Sequence, residues 1–406
     1  MKYLTTFFIL LLLLFIKENT AQCNGRYQNE IFSSVSVSTV NYSDVFTDQY
    51  HEMDIYTPDG DTVTDRPVII YTHGGSFYGG DKNLTDCVDF CNYFAKRGYV
   101  TISANYRLSS NPIIFALNQE EQYKTVLKAV ADIKSAVRYL RKDHTQGNSL
   151  GINPNGIYVG GYSAGGVLAV HLAYIDDITD LPTSPIDVQG LVSTIGGDLE
   201  GDAGNDGYSS DIHGVISFAG GINDISWINA NDEPLVSIQG DNDQTVNFNC
   251  GPGLNQPTVL TLCGTNEMHP RADSVGIIND YVVYPGEGHT WAAGGNADTL
   301  FTYAMEFTSD FLYPILPCNN PSAGIKVNRI TLNQFPNPAN QWVNYVSSQT
   351  IDNIRVYNWV GQTIKEIQVN SNNYVLNVTD LSKGIYSVIV NLNNKDKVYK
   401  KLMLSE

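Results

Sequence analysis

Gly156-Ile-Tyr-Val-Gly-Gly-Tyr-Ser163-Ala-Gly165-Gly-Val-Leu-Ala-Val-His-Leu-Ala-Tyr174 is the stretch whose reading decides the fold. Gly156 to Gly160 has the short apolar run of a strand covered on both faces. Val167 to Tyr174 has the uninterrupted apolar character of a buried helix. Between them Gly161-Tyr-Ser-Ala-Gly165 leaves almost no room for a turn, so small residues must stand two positions either side of the serine. A serine at such a strand-to-helix turn has an exposed hydroxyl, and the new helix aims its first N–H groups at any negative oxygen forming beside it. A glycine-rich turn produces the same letters by chance. The strand before Ser163 and the helix after it give the pattern its weight.

Working outward, similar runs recur. Val68 to Thr72, Tyr99 to Ser103, Gly214 to Phe218, Pro234 to Ile238 and Asp280 to Tyr284 read as further buried strands. Helical stretches fall at Val88 to Lys96, at Glu120 to Leu140 (apolar at Val126, Val130, Ile133, Val137 and Leu140) and at Thr299 to Leu312. Strand and helix in alternation specify a mostly parallel sheet with helices on both faces. After residue 313 the rhythm changes. A Pro/Gly/Asn-rich connector at 314–324 leads into strand-like runs at Trp342–Val346, Ile354–Tyr357, Ile364–Val369, Tyr374–Val378, Ile385–Leu392 and Val398–Leu404. Turn signals every ten or so residues predict a small antiparallel β-sandwich over 325–406.

Charge follows the same division. The 406 residues carry 42 acidic and 24 basic side chains, a net of -18, yet from Ser322 onward the balance is +4 and before it -22. So acidic a body repels phosphate backbones and excludes a nucleic-acid partner. At the N-terminus Lys2 precedes an apolar run from Phe7 to Ile16. Ten residues rise only ~15 Å as a helix, about half a bilayer core. Residues 1–22 therefore read as a cleaved signal peptide, with Gln22 too bulky for lipid attachment at Cys23. In an exported chain six cysteines favour disulfides. Cys250 and Cys263 form the best local pair, and Cys87 and Cys91 share one face if their segment is helical.

A serine hydroxyl is a poor nucleophile until an imidazole takes its proton, and a carboxylate fixes that imidazole's tautomer. Among the downstream histidines, His289 lies in Pro-Gly-Glu-Gly-His-Thr-Trp directly after the Asp280–Tyr284 strand, on the strand-end side where sites collect. His171 falls inside the helix after the serine, His213 opens a strand, and His269 in an irregular stretch is the runner-up. For the carboxylate, Asp241 and Asp243 compete in Gly240-Asp-Asn-Asp-Gln-Thr-Val246, with Asp224 remote. Val246 can pack the loop so that Asp243 turns inward, which favours it. His73-Gly74-Gly75 also follows a buried strand. Alone it reads as a glycine turn; beside the serine, Gly74 and Gly75 become backbone donors for an oxyanion together with Ala164. Asp198, Glu200, Asp202, Asp206 and Asp211 offer hard oxygens, but their spacing fits no complete calcium loop, so a solvated acidic loop is expected. Phe77, Tyr78, Trp227 and Trp291 stand near the proposed site loops and are expected to wall a pocket.

These residues resemble the α/β-hydrolase superfamily, in the carboxylesterase branch with an HGG oxyanion motif. The resemblance rests on Asp54-Ile-Tyr-Thr-Pro58, His73-Gly-Gly-Ser-Phe77, Asn105-Tyr-Arg-Leu108, Asp132-Ile-Lys-Ser-Ala-Val-Arg138, Ile152-Asn-Pro-Asn-Gly-Ile157 and the Ser163 turn, over about Val35 to Leu312. It implies Ser163, Asp243 and His289 as a triad, acyl-enzyme chemistry, Gly74, Gly75 and Ala164 as the oxyanion hole, and no metal or organic cofactor. Similarity to secreted bacterial esterases implies small acyl or aryl esters, including feruloyl or acetyl esters of plant polysaccharide. Exopeptidases share the domain and triad, but they usually add a propeller for which this chain has no room. A non-catalytic surface interaction protein on the same scaffold is the reading from another class.

The tail is similar to the C-terminal sorting domain of the type IX secretion system, through Phe335-Pro-Asn-Pro-Ala339, Ile354-Arg-Val-Tyr-Asn358, Leu381-Ser-Lys-Gly-Ile-Tyr-Ser387 and Lys400-Lys-Leu-Met-Leu404. That resemblance implies outer-membrane secretion machinery as a partner and a secreted or surface location. The expected organisation is thus a signal peptide at 1–22, a catalytic domain at 23–313, a linker at 314–324 and a sorting domain at 325–406.

Overall fold

The structure, a computed structural model, describes residues 23, 25–319, 332–358, 362–393 and 397–404. The expected signal peptide and residues 320–324 of the expected linker lie outside them. Eight strands form one sheet in the order β1-β2-β4-β3-β5-β6-β7-β10. They are β1 (Val35–Asn41), β2 (Glu52–Pro58), β3 (Arg66–Thr72), β4 (Val100–Ala104), β5 (Ile152–Tyr162), β6 (Val215–Phe218), β7 (Leu235–Gly240) and, after the small hairpin of β8 (Cys250–Pro252) and β9 (Thr261–Cys263), β10 (Asn279–Tyr284). Only the β1–β2 and β2–β4 pairs are antiparallel. The sheet is therefore mostly parallel, as the unbroken Val/Ile runs require.

Both faces are covered. Val68 and Ile70 of β3 point into a core shared with helices α3 (Gln119–Thr145) and α4 (Ala164–Tyr174), while Ile69 and Tyr71 point into a second core with α1 (Thr85–Ala95) and α7 (Thr299–Leu312). Helices α2 (Pro112–Leu117), α5 (Val188–Leu191) and α6 (Thr265–Val275) complete the layers. Strand side chains alternate between faces, so a period-two register sorts one continuous apolar run into two cores. No helix among the described residues is long and apolar enough to cross a membrane.

The acidic loop expected to be a solvated turn is docked instead. Asp202 lies 2.6 Å from Arg107, and Glu200 pairs with Arg138 at 2.6 Å and Lys134 at 3.1 Å. Ser135 and Arg138 also donate to the carbonyls of Ala203 and Gly204. Arg107 and the basic groups of α3 thus organise carboxylates that composition alone assigns to solvent.

Cys250 and Cys263 are bonded, and Cys23 is bonded to Cys318. The second bond occupies the sulfur that lipid attachment would need. Cys87 and Cys91 share a buried face of α1 and are free thiols, contrary to the even-count expectation. Residues 314–319, expected in the linker, stay with the eight-stranded body: Leu316 is fully buried and Cys318 carries the bond.

Strands β11 (Leu332–Phe335), β12 (Trp342–Tyr357), β13 (Thr363–Asn377), β14 (Gly384–Leu392) and β15 (Lys397–Leu404) pair antiparallel around a separate core. The turn signal at Ser371-Asn372-Asn373 lies instead within the long strand β13, opposite residues 347–350 of β12. The β12–β13 ladder continues past them with register shifts between Val346 and Ile351 and between Ile351 and Asn353. A bulge admits such residues by bending the strand rather than ending it.

Candidate active site

The parallel strands end in step: Thr72 pairs with Gly161, Gly161 with Ser217, Phe218 with Ile238 and Gly240 with Tyr284. The segments leaving β3, β5, β7 and β10 therefore emerge at one rim, where such folds collect their ligands. Ser163 comes off β5, Asp243 follows β7, and His289 follows β10.

Ser163 has φ 58° and ψ -120°, outside the regions a non-glycine residue favours. Its N–H donates to the Phe218 carbonyl at 2.8 Å, and its carbonyl accepts from Val167, so neighbouring elements over-determine the turn. A side-chain carbon at Gly165 would strike the Thr72 carbonyl, which explains the small residue two beyond the serine. His289 Nε2 lies 2.7 Å from Ser163 Oγ, and His289 Nδ1 lies 2.7 Å from Asp243 Oδ2. The other carboxylate oxygen of Asp243 accepts from the N–H groups of Thr245 and Val246 at 2.9 and 3.0 Å. The aspartate is 3% exposed. Asp241 points elsewhere, accepting from Gly286 N–H at 2.6 Å.

The remaining histidines are engaged apart from this line. His171 bonds Val167 O and Asn223 Oδ1, His213 accepts from Ile157 N–H, and buried His269 bonds Asn279 and packs on Tyr281. Burial pushes the His269 imidazole down to about 4. Asp224 caps a short helical turn.

The His73-Gly74-Gly75 loop lies against the serine. A Cβ built on Gly74 would sit 3.3 Å from that of Ser163. Gly75 has φ 120°, and a side chain there would collide with the Gly79 carbonyl. The N–H groups of Gly74, Gly75 and Ala164 have no acceptor among the described residues. Unpaired amides converging beside a nucleophile can hold an oxyanion. Tyr106 braces this loop, stacking on His73 at 4.3 Å and donating to its carbonyl at 2.7 Å. Burial lowers the His73 imidazole pKa below its ordinary value, keeping the ring neutral in this brace.

Beside Ser163 opens a pocket of about 60 Å³. Phe77 lines it as expected, but Trp227 and Trp291 do not. Trp291 packs on Phe218 and Tyr284 in the core on the α1/α7 face, and Trp227 packs on His171. Tyr78 is exposed, edge-on to Phe115 at 5.9 Å. Proximity in sequence to a site loop does not fix the face of the sheet. Phe115 of α2, Gln122 of α3 and Tyr162 have places at the site that their sequence context did not signal. Gln122 occupies an otherwise regular helix position, and Phe115 sits in a short apolar run without a motif.

Comparison with known proteins agrees with this architecture. Residues 53–256, half the chain, match the family model BD-FAE, and residues 333–405 match the secretion system C-terminal sorting domain. Two solved structures share the fold. Thermogutta terrifontis esterase 2 phosphorylated by paraoxon is 22% identical, with a TM-score of 0.50 over 69% of this chain and 94% of its own. A truncated carbohydrate esterase from gut microbiota is 20% identical, with a TM-score of 0.50 over 71% of this chain and 98% of its own. No curated protein matches the chain.

Proposed function

The chain belongs to the BD-FAE family, and from that premise we propose that it is an exported serine carboxylester hydrolase acting through an acyl-enzyme. The observation that carries the reading is the continuous line Ser163 Oγ, His289 Nε2, His289 Nδ1, Asp243 Oδ2, each contact 2.7 Å long. His289 accepts the Ser163 proton as Oγ attacks the ester carbonyl. Asp243 stabilises the imidazolium and holds its tautomer. The carbonyl oxygen, now anionic, is held by the amides of Gly74, Gly75 and Ala164. Such donors are worth roughly 10² to 10³ each in turnover. The imidazolium then protonates the departing alkoxide, leaving an acyl-serine and free alcohol. Water, deprotonated by the same imidazole, attacks the acyl-serine and returns the carboxylic acid and the serine hydroxyl.

The substrates are small acyl or aryl esters, with esters of plant polysaccharide among them. The 333–405 match supports delivery to the cell surface or medium by type IX machinery.

Paraoxon tests the serine mechanism without assuming a substrate. One phosphoryl group should appear on Ser163, p-nitrophenyl butyrate hydrolysis should cease with labelling, and Ser163→Ala should take no label. Turnover in Ser163→Ala should fall by about 10⁶. Label on another residue, or undiminished hydrolysis by the alanine variant, would dismiss the mechanism.

A further inference from the structure

The loop that carries the Gly74 and Gly75 amides is held in a backbone its own residues disfavour. Gly75 has φ 120°, Ser76 55°, Phe77 62° and Gly80 85°. Ser76 and Phe77 are not glycines, and side chains in this left-handed region persist only where the surroundings over-determine them. The start of the loop is pinned at His73 by Tyr106, and Ser109 N–H donates to the Phe77 carbonyl at 2.7 Å. The far end is pinned at Lys82. Resting on the serine-esterase reading above, we infer that the buried Lys82–Asp54 ion pair is a positioning device for the oxyanion hole, setting the Gly74–Gly75 peptide from the far side of the loop.

Every polar group of Lys82 is fixed. Its N–H donates to Asn105 Oδ1 at 2.7 Å, and its carbonyl accepts from Ser103 Oγ at 2.7 Å. The ammonium donates to both oxygens of Asp54 at 2.8 Å. Asp54 lies on β2 and also accepts from Thr39 Oγ1 of β1 at 2.6 Å. Lys82 and Asp54 are only 8% and 6% exposed. Strands β1, β2 and β4 therefore converge on one residue of the loop. Gly80, two positions earlier, passes that anchorage on. A side-chain carbon there would strike the Gly74 carbonyl oxygen and the His73 ring. The Gly74 carbonyl and the Gly75 N–H belong to one planar peptide, so a shift of Gly80 moves an oxyanion donor.

A buried ion pair is a poor source of stability, because two charges leave water and their attraction offsets that loss only in part. Apolar side chains of similar volume would serve the core as well. What the pair supplies is one address for the ammonium: among the described residues Lys82 pairs with no acid but Asp54. Fixed position is what an oxyanion hole needs, since a misplacement of about 1 Å can lower turnover 10²-fold.

The full chain should be prepared as Asp54→Leu/Lys82→Met, which makes the pair apolar, and as Asp54→Asn, which keeps the shape and removes the charge. With p-nitrophenyl butyrate, kcat should fall by about 10² in the first and roughly tenfold in the second, with KM little altered. A trifluoromethyl ketone, whose serine adduct carries an oxyanion, should bind more weakly by the same factors. The pH profile of kcat/KM should not move, since Ser163, His289 and Asp243 keep their contacts. The double variant should melt near the parent. Either variant with parental kcat, a loss confined to KM, or a ketone affinity that does not follow kcat would overturn the inference. Asp54→Asn decides on its own should the double variant not fold. Paraoxon separates the two levels: a parent labelled on Ser163 whose variants keep full kcat defeats this inference alone, whereas a parent that takes no label defeats the esterase mechanism beneath it.

Discussion

The phenolic hydroxyl of Tyr162 donates to the backbone carbonyl of His289 across 2.6 Å, and its ring stacks on the imidazole at 5.4 Å. The residue preceding the serine thus grips the loop carrying the histidine, coupling two segments 127 positions apart. Burial raises the phenol's pKa, so the hydroxyl keeps its proton as a donor. Tyr162→Phe retains the stack and loses one buried hydrogen bond, a change of about 1 kcal/mol. If that bond aligns the imidazole, kcat should fall roughly fivefold with KM little altered. Steady-state kinetics on p-nitrophenyl butyrate read this directly. An unchanged kcat would mean that the stack alone suffices.

Two aspartates share the 240–246 loop but face different partners, one the imidazole and the other the Gly286 amide. Asp243→Asn should lower kcat by about 10⁴, as expected when the orienting carboxylate is lost. Asp241→Asn should leave kcat within a few-fold, its effect confined to loop stability. Comparable losses in both variants would remove Asp243 from its assigned role.

The edge of the catalytic body can be tested by where the chain is cut. A protein ending at Asn319 keeps Cys318 and its bond to Cys23, whereas one ending at Leu312 does not. The first should hydrolyse esters with a Tm near that of the full chain's catalytic domain. The second should melt several degrees lower, because a crosslink closing so long a loop contributes up to about 6 kcal/mol by the chain-entropy argument. Dithiothreitol should narrow the difference, leaving the part due to the buried Leu316 that the shorter protein also lacks. Neither protein should reach the cell surface, since both lack the sorting domain; surface delivery of either would refute that role for the tail.

Acid should weaken the fold partly through His269. The imidazole is buried and held neutral at a pKa of about 4, against ~6.5 in an unfolded chain. A depressed histidine contributes full stability above the unfolded value, and the contribution is lost as pH falls from about 6.5 toward 4. The size is on the order of 3 kcal/mol. Urea midpoints at pH 7 and pH 4.5 should therefore differ less for His269→Phe than for the parent chain. An equal difference in both proteins would show that other groups govern the acid transition.

Much of this arrangement is written locally. Strand, tight turn and helix around Ser163 occupy the consecutive residues Gly156 to Tyr174, and the His289 and Asp243 loops follow strands recognisable from their own apolar runs. What the linear order conceals are meetings between distant segments. Phe115, Gln122, Val259 and Leu262 share a pocket because α2, α3 and the Cys250–Cys263 segment converge, and no period in any one of them announces it. Trp291 is two residues from His289 yet packs into the core on the α1/α7 face. The docked acidic loop is concealed for the same reason, its cations lying at Arg107 and on α3, 62 to 95 positions earlier. In the tail, a polar tract that resembles a turn lies at a bulge inside long strands, a distinction made by the partner strand rather than by the tract itself.

The bond between Cys23 and Cys318 makes the catalytic body a closed loop of covalent links, with the sorting domain attached outside it. A single proteolytic nick anywhere between those two cysteines would leave the fragments on one molecule, still aligned by the sheet. Outside the cell, where hydrolytic neighbours are common and no chaperone waits, such an enzyme can be cut once and remain whole.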